Sequence, residues 1–227
     1  SFFGAASALA VGLTLSTGAV AQDDITIALI PGLTTDAFYI TMNRGAQAAA
    51  DALGVELVFQ GAPDFNPVLQ VPVLDAVIAR APDAILNAPT DKTQLVEPLR
   101  KAHDAGISVL TVDTFIGSGV YQTGAGEADF PLSYIASDNV LGGRMAARAL
   151  AEAIGGEGAV YVSNVNPGIS TTDQREEGFK LERAENFPGV TVLETQFNDI
   201  DAIKAATQLH GVLAREPGLK GVFGANL

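Results

Sequence analysis

Short apolar runs alternate with amphipathic stretches along most of this chain. Ile25-Thr26-Ile27-Ala28-Leu29-Ile30 is uncharged and rich in β-branched residues, the signature of a buried strand. Met42, Ala46, Ala49, Ala50 and Leu53 then fall at helical spacing, and Gly54 ends that helix. Val55–Phe59 reads as a second strand. Val68–Arg80 reads as a second helix, in which Pro72 is tolerable only near the start. Ala84–Asn87 is a third strand. Asp91 or Thr93 caps a helix running to Ala105, with Pro98 delaying or kinking its first turns. Ser108–Val112 and Leu132–Ala136 are the fourth and fifth strands. Asp138 or Asn139 caps a helix through Ile154. Further strands are expected over Gly158–Val162, Val190–Gln196 and Lys220–Phe223, with helices at roughly 172–187 and 201–215.

Strands separated by helices imply an α/β fold built of parallel β-α-β units with right-handed crossovers. Ligands of such open sheets bind beyond the carboxyl ends of the strands. Chemistry is therefore sought in loops 31–37, 60–66, 88–91, 113–131, 163–172, 197–199 and from Gly224 onward. The long segment Asp113–Pro131 has four glycines and no apolar run beyond two residues. It reads as a loop decorating the cleft or its rim, with a disordered excursion as the alternative.

The first 22 residues, SFFGAASALAVGLTLSTGAVAQ, carry no charge, and Ala19-Val20-Ala21 fits the small-x-small cleavage site of a secretory signal. A membrane anchor is the competing reading. The expectation is a signal peptide over 1–21, without its basic n-region, and a mature chain starting at Gln22. No initiator Met or basic residue precedes Ser1, so a clipped N-terminus is expected.

Composition narrows the function classes. The 227 residues include 13 Lys+Arg against 26 Asp+Glu, a formal charge of −13 that repels phosphate backbones and argues against nucleic acid. At 48% hydrophobic the chain is no acidic disordered tail. With no Cys, thiol nucleophiles, disulfides and Cys-ligated zinc are excluded. The two histidines, His103 and His210, read as helix-surface or interface residues, so no metal site is expected. There is no nucleophile elbow, no P-loop and no GxGxxG after a strand, so neither catalytic residues nor a cofactor is expected.

Several loop residues carry recognition chemistry. Phe38 and Tyr39 open the first helix side by side. Successive helical side chains diverge by about 100°, so either one is core and one surface, or both form an apolar wall beside Asp36. Asp113 follows a strand directly, where a carboxylate can accept two hydroxyl hydrogen bonds; a plain loop or cap Asp is the alternative. Arg175 lies just inside a helix opened by Ser170-Thr171-Thr172-Asp173, as a fork of donors or as an exposed charge paired with Glu176 or Asp173. Asn226 also stands past a strand, as an amide contact or a loop Asn.

The run Tyr134-Ile135-Ala136-Ser137-Asp138-Asn139-Val140-Leu141-Gly142-Gly143 resembles the first hinge crossing of the type I periplasmic sugar-binding proteins, the ribose-binding-like receptors of ABC transporters. Ile27–Ile30 followed by Phe38-Tyr39, the Pro89-Thr90-Asp91 turn, Asp113, Arg175-x-x-Gly178-Phe179 and Val222-Phe223-x-x-Asn226 follow in the family's order. The resemblance implies two doubly wound parallel-sheet lobes, 22–137 and 138–227, the second C-terminally incomplete, so the chain is expected either to fold poorly alone or to be a partial record. It implies Asp36, Phe38, Tyr39 and Asp113 as first-lobe ligand contacts, with Arg175 and Asn226 on the second lobe. The partners implied are a monosaccharide or polyol, an inner-membrane ABC permease and a chemoreceptor, in the periplasm. A furanosyl quorum-signal receptor on the same scaffold is the alternative function. A LacI-type regulator would need a basic helix-turn-helix that this N-terminus lacks, and an exported enzyme would need a nucleophile–base pair or metal cluster.

The departures concern specificity. Gly32 stands where ribose receptors carry a small hydroxyl residue, Thr114 where Arg is common, and Leu227 where many have Asp. Ile200 replaces a stacking aromatic, with Phe197 as a nearby substitute. The stretch Gly117–Asp129 is longer than in the ribose group. These departures leave ribose on a par with another aldose, a ketose or a sugar alcohol.

Overall fold

A computed structural model describes residues 25–226. The expected signal peptide and Leu227 lie outside the described residues. The first sheet contains β1 (Thr26–Ile30), β2 (Glu56–Phe59), β3 (Ala84–Asn87), β4 (Ser108–Val112) and β5 (Tyr134–Ile135), in the order β2-β1-β3-β4-β5. Every pairing is parallel. Strand side chains alternate between faces, and the core follows that alternation. Ala28, Ile30, Ile85 and Val109 face α2 (Pro67–Ile78) and α3 (Val96–Asp104), meeting Leu74, Val77, Leu99 and Ala102. Leu29 and Val112 face the other way, toward α1 (Ala37–Leu53), and meet Tyr39 and Met42.

The second sheet is built around β6 (Gly158–Asn164). It pairs in parallel with β7 (Val190–Val192), β8 (Gln196–Phe197) and β9 (Leu219–Gly224). The remaining helices are α4 (Asn139–Ala153), α5 (Ser170–Asn186) and α6 (Ala202–Arg215). Ala147 and Ala151 of α4 and Phe179 of α5 pack on Val160, Val162 and Phe223, with Phe179 and Phe223 stacked at 4.4 Å between ring centroids.

Local signals explain the helix ends. Asp36, Asn66, Asp138 and Asp201 each accept a backbone N–H from the first turn of α1, α2, α4 and α6. Gly54 closes α1 in the left-handed region at φ 69°.

Four expectations need correction. The single strand expected over Val190–Gln196 is two, β7 and β8, because Leu193–Thr195 leaves the ladder between them. The fifth strand shrinks to Tyr134-Ile135. Pro72 sits well inside α2; the carbonyl it leaves without a donor belongs to Val68, which is 73% exposed and open to water. The segment Asp113–Pro131, expected at the cleft or its rim, reaches the cavity only through Asp113; its Gly117–Asp129 stretch does not line it. It folds back over the first core, where Tyr121, Ala128 and Phe130 pack. There the Tyr121 hydroxyl lies 3.0 Å from Thr111 Oγ1, and Asp129 accepts the amides of Thr123 and Gly124 at 2.9 and 2.6 Å.

One helix crossing matters for the site. A Cβ on Gly143 would stand 2.8 Å from the Arg175 carbonyl carbon, and one on Gly178 2.8 Å from that of Val140. Two glycines thus let α4 and α5 touch backbone to backbone. This puts Arg175 beside the start of α4.

Candidate functional site

A cavity of about 340 Å³ lies between the carboxyl ends of the two sheets. All six residues singled out in the sequence line it. Asp36, Phe38, Tyr39 and Asp113 come from the loops and first turn after β1 and β4; Arg175 comes from α5; Asn226 follows β9. A volume of this order suits one small ligand.

The two adjacent aromatics divide as a core residue and a surface residue, yet both reach the cavity. Tyr39 is 4% exposed and packs in the first core, whereas Phe38 is 50% exposed, its ring edge-on to Tyr39 at 5.3 Å. The Tyr39 hydroxyl donates to Asp113 Oδ2 at 2.7 Å. Burial, with the neighbouring Asp113 charge, pushes the Tyr39 hydroxyl well above its ordinary pKa, so it remains a donor.

Asp113 is held at both backbone ends. Its N–H donates to the Ile135 carbonyl at 2.9 Å, and its own carbonyl accepts from Tyr134 Oη at 2.8 Å. It adopts φ 63°, a left-handed backbone uncommon for a residue with a Cβ and frequent at functional sites. Burial lifts its carboxyl above the usual aspartate value, against the lowering pull of the Tyr39 hydrogen bond and the Arg175 charge. Asp36 serves two purposes at once: Oδ1 accepts the Phe38 N–H at 2.6 Å as a helix cap, and the residue lines the cavity.

Opposite these carboxylates stands Arg175. Its Nε donates to Asn139 Oδ1 at 2.9 Å, and Nη1 donates to the Ala225 carbonyl at 3.0 Å and to Asn226 Oδ1 at 3.4 Å. The salt bridges expected as alternatives, to Glu176 or Asp173, do not form. Asp173 instead pairs with Lys92 at 3.3 Å, and Glu176 with Lys180. Anchored through Nε and Nη1, the guanidinium lines the cavity with Nη2 outside these bonds.

Sequence reasoning missed several members of the site. Phe65, in the loop after β2, lines the cavity with Leu33, Val165 and Ile169. Ile200 lines it, but Phe197, offered as its aromatic substitute, borders an outer groove with Glu176 and Lys180. Asn139 was seen only as a possible cap; Asp138 is the cap, and Asn139 orients Arg175. Buried Gln70 holds the loops after β1 and β3. It donates to the Pro31 and Ala88 carbonyls and accepts from Thr90 N and Oγ1.

The two sheet units also touch each other directly. The Phe115 N–H donates to Ser170 Oγ at 3.0 Å, and Lys92 N donates to the Gly168 carbonyl at 3.3 Å. Acceptors on one wall, donors on the other and apolar faces between them can hold a polyhydroxylated molecule.

Comparison with known proteins bears on this arrangement. A family model described as periplasmic binding protein domain matches residues 27–227. The ribose import binding protein of Escherichia coli is 32% identical over 220 residues, covering 97% of this chain and 69% of that protein. A solved ABC transporter solute-binding protein from Agrobacterium vitis, bound with alpha-D-tagatopyranose, is 74% identical with a TM-score of 0.88, over 90% of this chain and 68% of that one. Another from Burkholderia graminis, in complex with D-arabinose, is 28% identical with a TM-score of 0.78, over 89% and 66% of the two chains.

Proposed function

This chain belongs to the periplasmic binding protein family, and from that premise we propose that it is an exported receptor for a monosaccharide, foremost a ketohexose in its pyranose form, which it presents to an ABC permease. The observation that carries the reading is the cavity itself: the Asp36 and Asp113 carboxylates on one wall face the Arg175 guanidinium and Asn226 on the other. Vicinal hydroxyls donate to the carboxylates and accept from the guanidinium, and charged partners make the stronger hydrogen bonds. Phe38 and Phe65 offer faces and edges to the sugar's C–H groups. The Agrobacterium vitis protein, 74% identical and solved with tagatose, supports a ketohexose over ribose.

In this reading, residues 22–137 and 138–227 belong to two lobes and residues 1–21 direct export. Sugar bridges both walls and therefore favours the shut arrangement, in which Phe115 meets Ser170 and Lys92 meets Gly168. The sequence carries out no covalent chemistry in this role; it captures and delivers.

Calorimetry of the full-length protein tests this against tagatose, fructose, arabinose, ribose, allose, galactose and the corresponding polyols. Saturable binding strongest for a ketohexose is expected. No heat of binding from any sugar or polyol would refute the receptor assignment, and ribose outranking every ketose would refute the ketohexose choice.

A further inference from the structure

The loop between β1 and α1 carries a buried glycine whose reason is space. Gly32 has no left-handed backbone, so conformational freedom does not demand a glycine there. A Cβ at this position would stand 2.6 Å from Phe65 Cδ2 and 2.7 Å from Tyr39 Oη, closer than side chains tolerate. The edge of the Phe65 ring fills the volume that any side chain at 32 would take.

Phe65 cannot readily retreat. Its ring packs on the core group of Leu29, Tyr39, Ala88 and Val112 while also lining the cavity. Its backbone is anchored next door, where Asn66 caps α2 by accepting the Val68 N–H at 2.8 Å. This corner of the site therefore presents an aromatic edge, and its nearest polar atom, the Tyr39 hydroxyl, is already engaged with Asp113 Oδ2 and the Gly32 backbone. A sugar hydroxyl pointing here would lose its water and find no partner, whereas a C–H group loses nothing.

We infer that Gly32 and Phe65 together determine sugar choice, by selecting a pyranose that turns an unsubstituted ring methylene to this corner and rejecting one that carries a hydroxymethyl there. Ketohexopyranoses and aldopentopyranoses have such a methylene; aldohexopyranoses bear the hydroxymethyl at the matching ring carbon. The inference rests on the sugar-receptor reading above and adds the pair of residues that sets its selectivity.

The test is a double-mutant cycle in the full-length protein, titrated with tagatose, arabinose, allose and galactose. Wild type should prefer the methylene sugars. Phe65→Ala should narrow the preference for tagatose over the two aldohexoses by about tenfold or more. Gly32→Ser should weaken tagatose binding by about tenfold, because the ring is forced into the cavity and the Tyr39 hydroxyl off Asp113. Adding Phe65→Ala or the milder Phe65→Leu to Gly32→Ser should recover part of that loss, since the new side chain then has room. Melting of each unliganded variant separates lost binding from lost folding, and the milder double variant carries the test if Gly32→Ser alone unfolds. Additive effects within about twofold, or an unchanged ratio between tagatose and the aldohexoses, would overturn the inference. A wild-type protein that binds no sugar would instead overturn the receptor reading.

Discussion

Gly178→Ala isolates the contact on which the second wall of the site depends. At an exposed helical position this change would stabilise the protein by up to ~1 kcal/mol through backbone entropy. At Gly178 the added methyl meets the backbone of α4, 2.8 Å from the Val140 carbonyl carbon and 3.0 Å from its Cα. Backbone atoms have no rotamer to change, so the helices must part by roughly an ångström, with the ~1–3 kcal/mol cost of an overpacked core. Parting them loosens Phe179 against Ala147 and Ala151, and stretches the 3.2 Å ion pair between Arg144 and buried Glu182. At ~2–4 °C per kcal/mol for a chain of this size, the melting temperature should fall by about 2–12 °C. The matched control is Gly45→Ala on α1, where a Cβ meets nothing within 4 Å. Its melting temperature should hold or rise. Thermal and urea unfolding of the full-length protein give the stabilities, and sugar titration gives the second readout. The Arg175–Asn139 bond spans the same crossing, so affinity should drop by about tenfold in Gly178→Ala alone. If Gly178→Ala melts at or above wild type beside Gly45→Ala, the close-approach argument is wrong.

Three further outcomes are expected. Arg175→Ala should weaken sugar binding by about 10- to 150-fold, the value of charged hydrogen bonds, and Arg175→Lys should recover little because one ammonium cannot hold Asn139 and Ala225 while reaching the cavity. Burial raises the Asp113 carboxyl above the ordinary aspartate value, so over that acid window the folded protein holds the proton better than the unfolded chain does. The group's contribution to unliganded stability therefore falls as pH rises from its unfolded toward its folded pKa. Asp113→Asn should abolish that component, seen as a pH-dependent difference between the two unfolding curves, while sugar affinity in wild type climbs over the same window. Ser170→Ala removes the acceptor of the Phe115 N–H between the sheet units. It should weaken sugar binding about fivefold with little change in unliganded melting, while Lys92→Ala, which breaks a half-exposed ion pair, should matter less and only at low salt.

Much of the local structure was legible along the chain. The apolar runs at Thr26–Ile30, Ala84–Asn87 and Ser108–Val112 became strands because hydrophobic period and β-branching act between near neighbours. Asp138 and Gly54 marked helix ends because a cap bonds only within a turn. The break between β7 and β8 was not legible, since it depends on where β6 still offers free edge. The buried fate of the Gly117–Asp129 stretch was equally hidden, because only the exposed edge of the first core gives Tyr121 and Phe130 somewhere to go.

The sequence alone determined the class of site. Parallel strands deliver their carboxyl ends to one place, so Asp36, Asp113, Arg175 and Asn226 stood out as candidates near those ends, and the family resemblance implied them as contacts. Tertiary structure decided how those groups are held and what they can discriminate. Tyr39 gives its hydroxyl to a residue 74 positions away, and Arg175 is aimed by Asn139 across a glycine crossing. Phe65 enters the site because Gly32 leaves it room. Each depends on distances of a few tenths of an ångström between segments far apart in the chain, which residue types and spacing do not encode and close packing does.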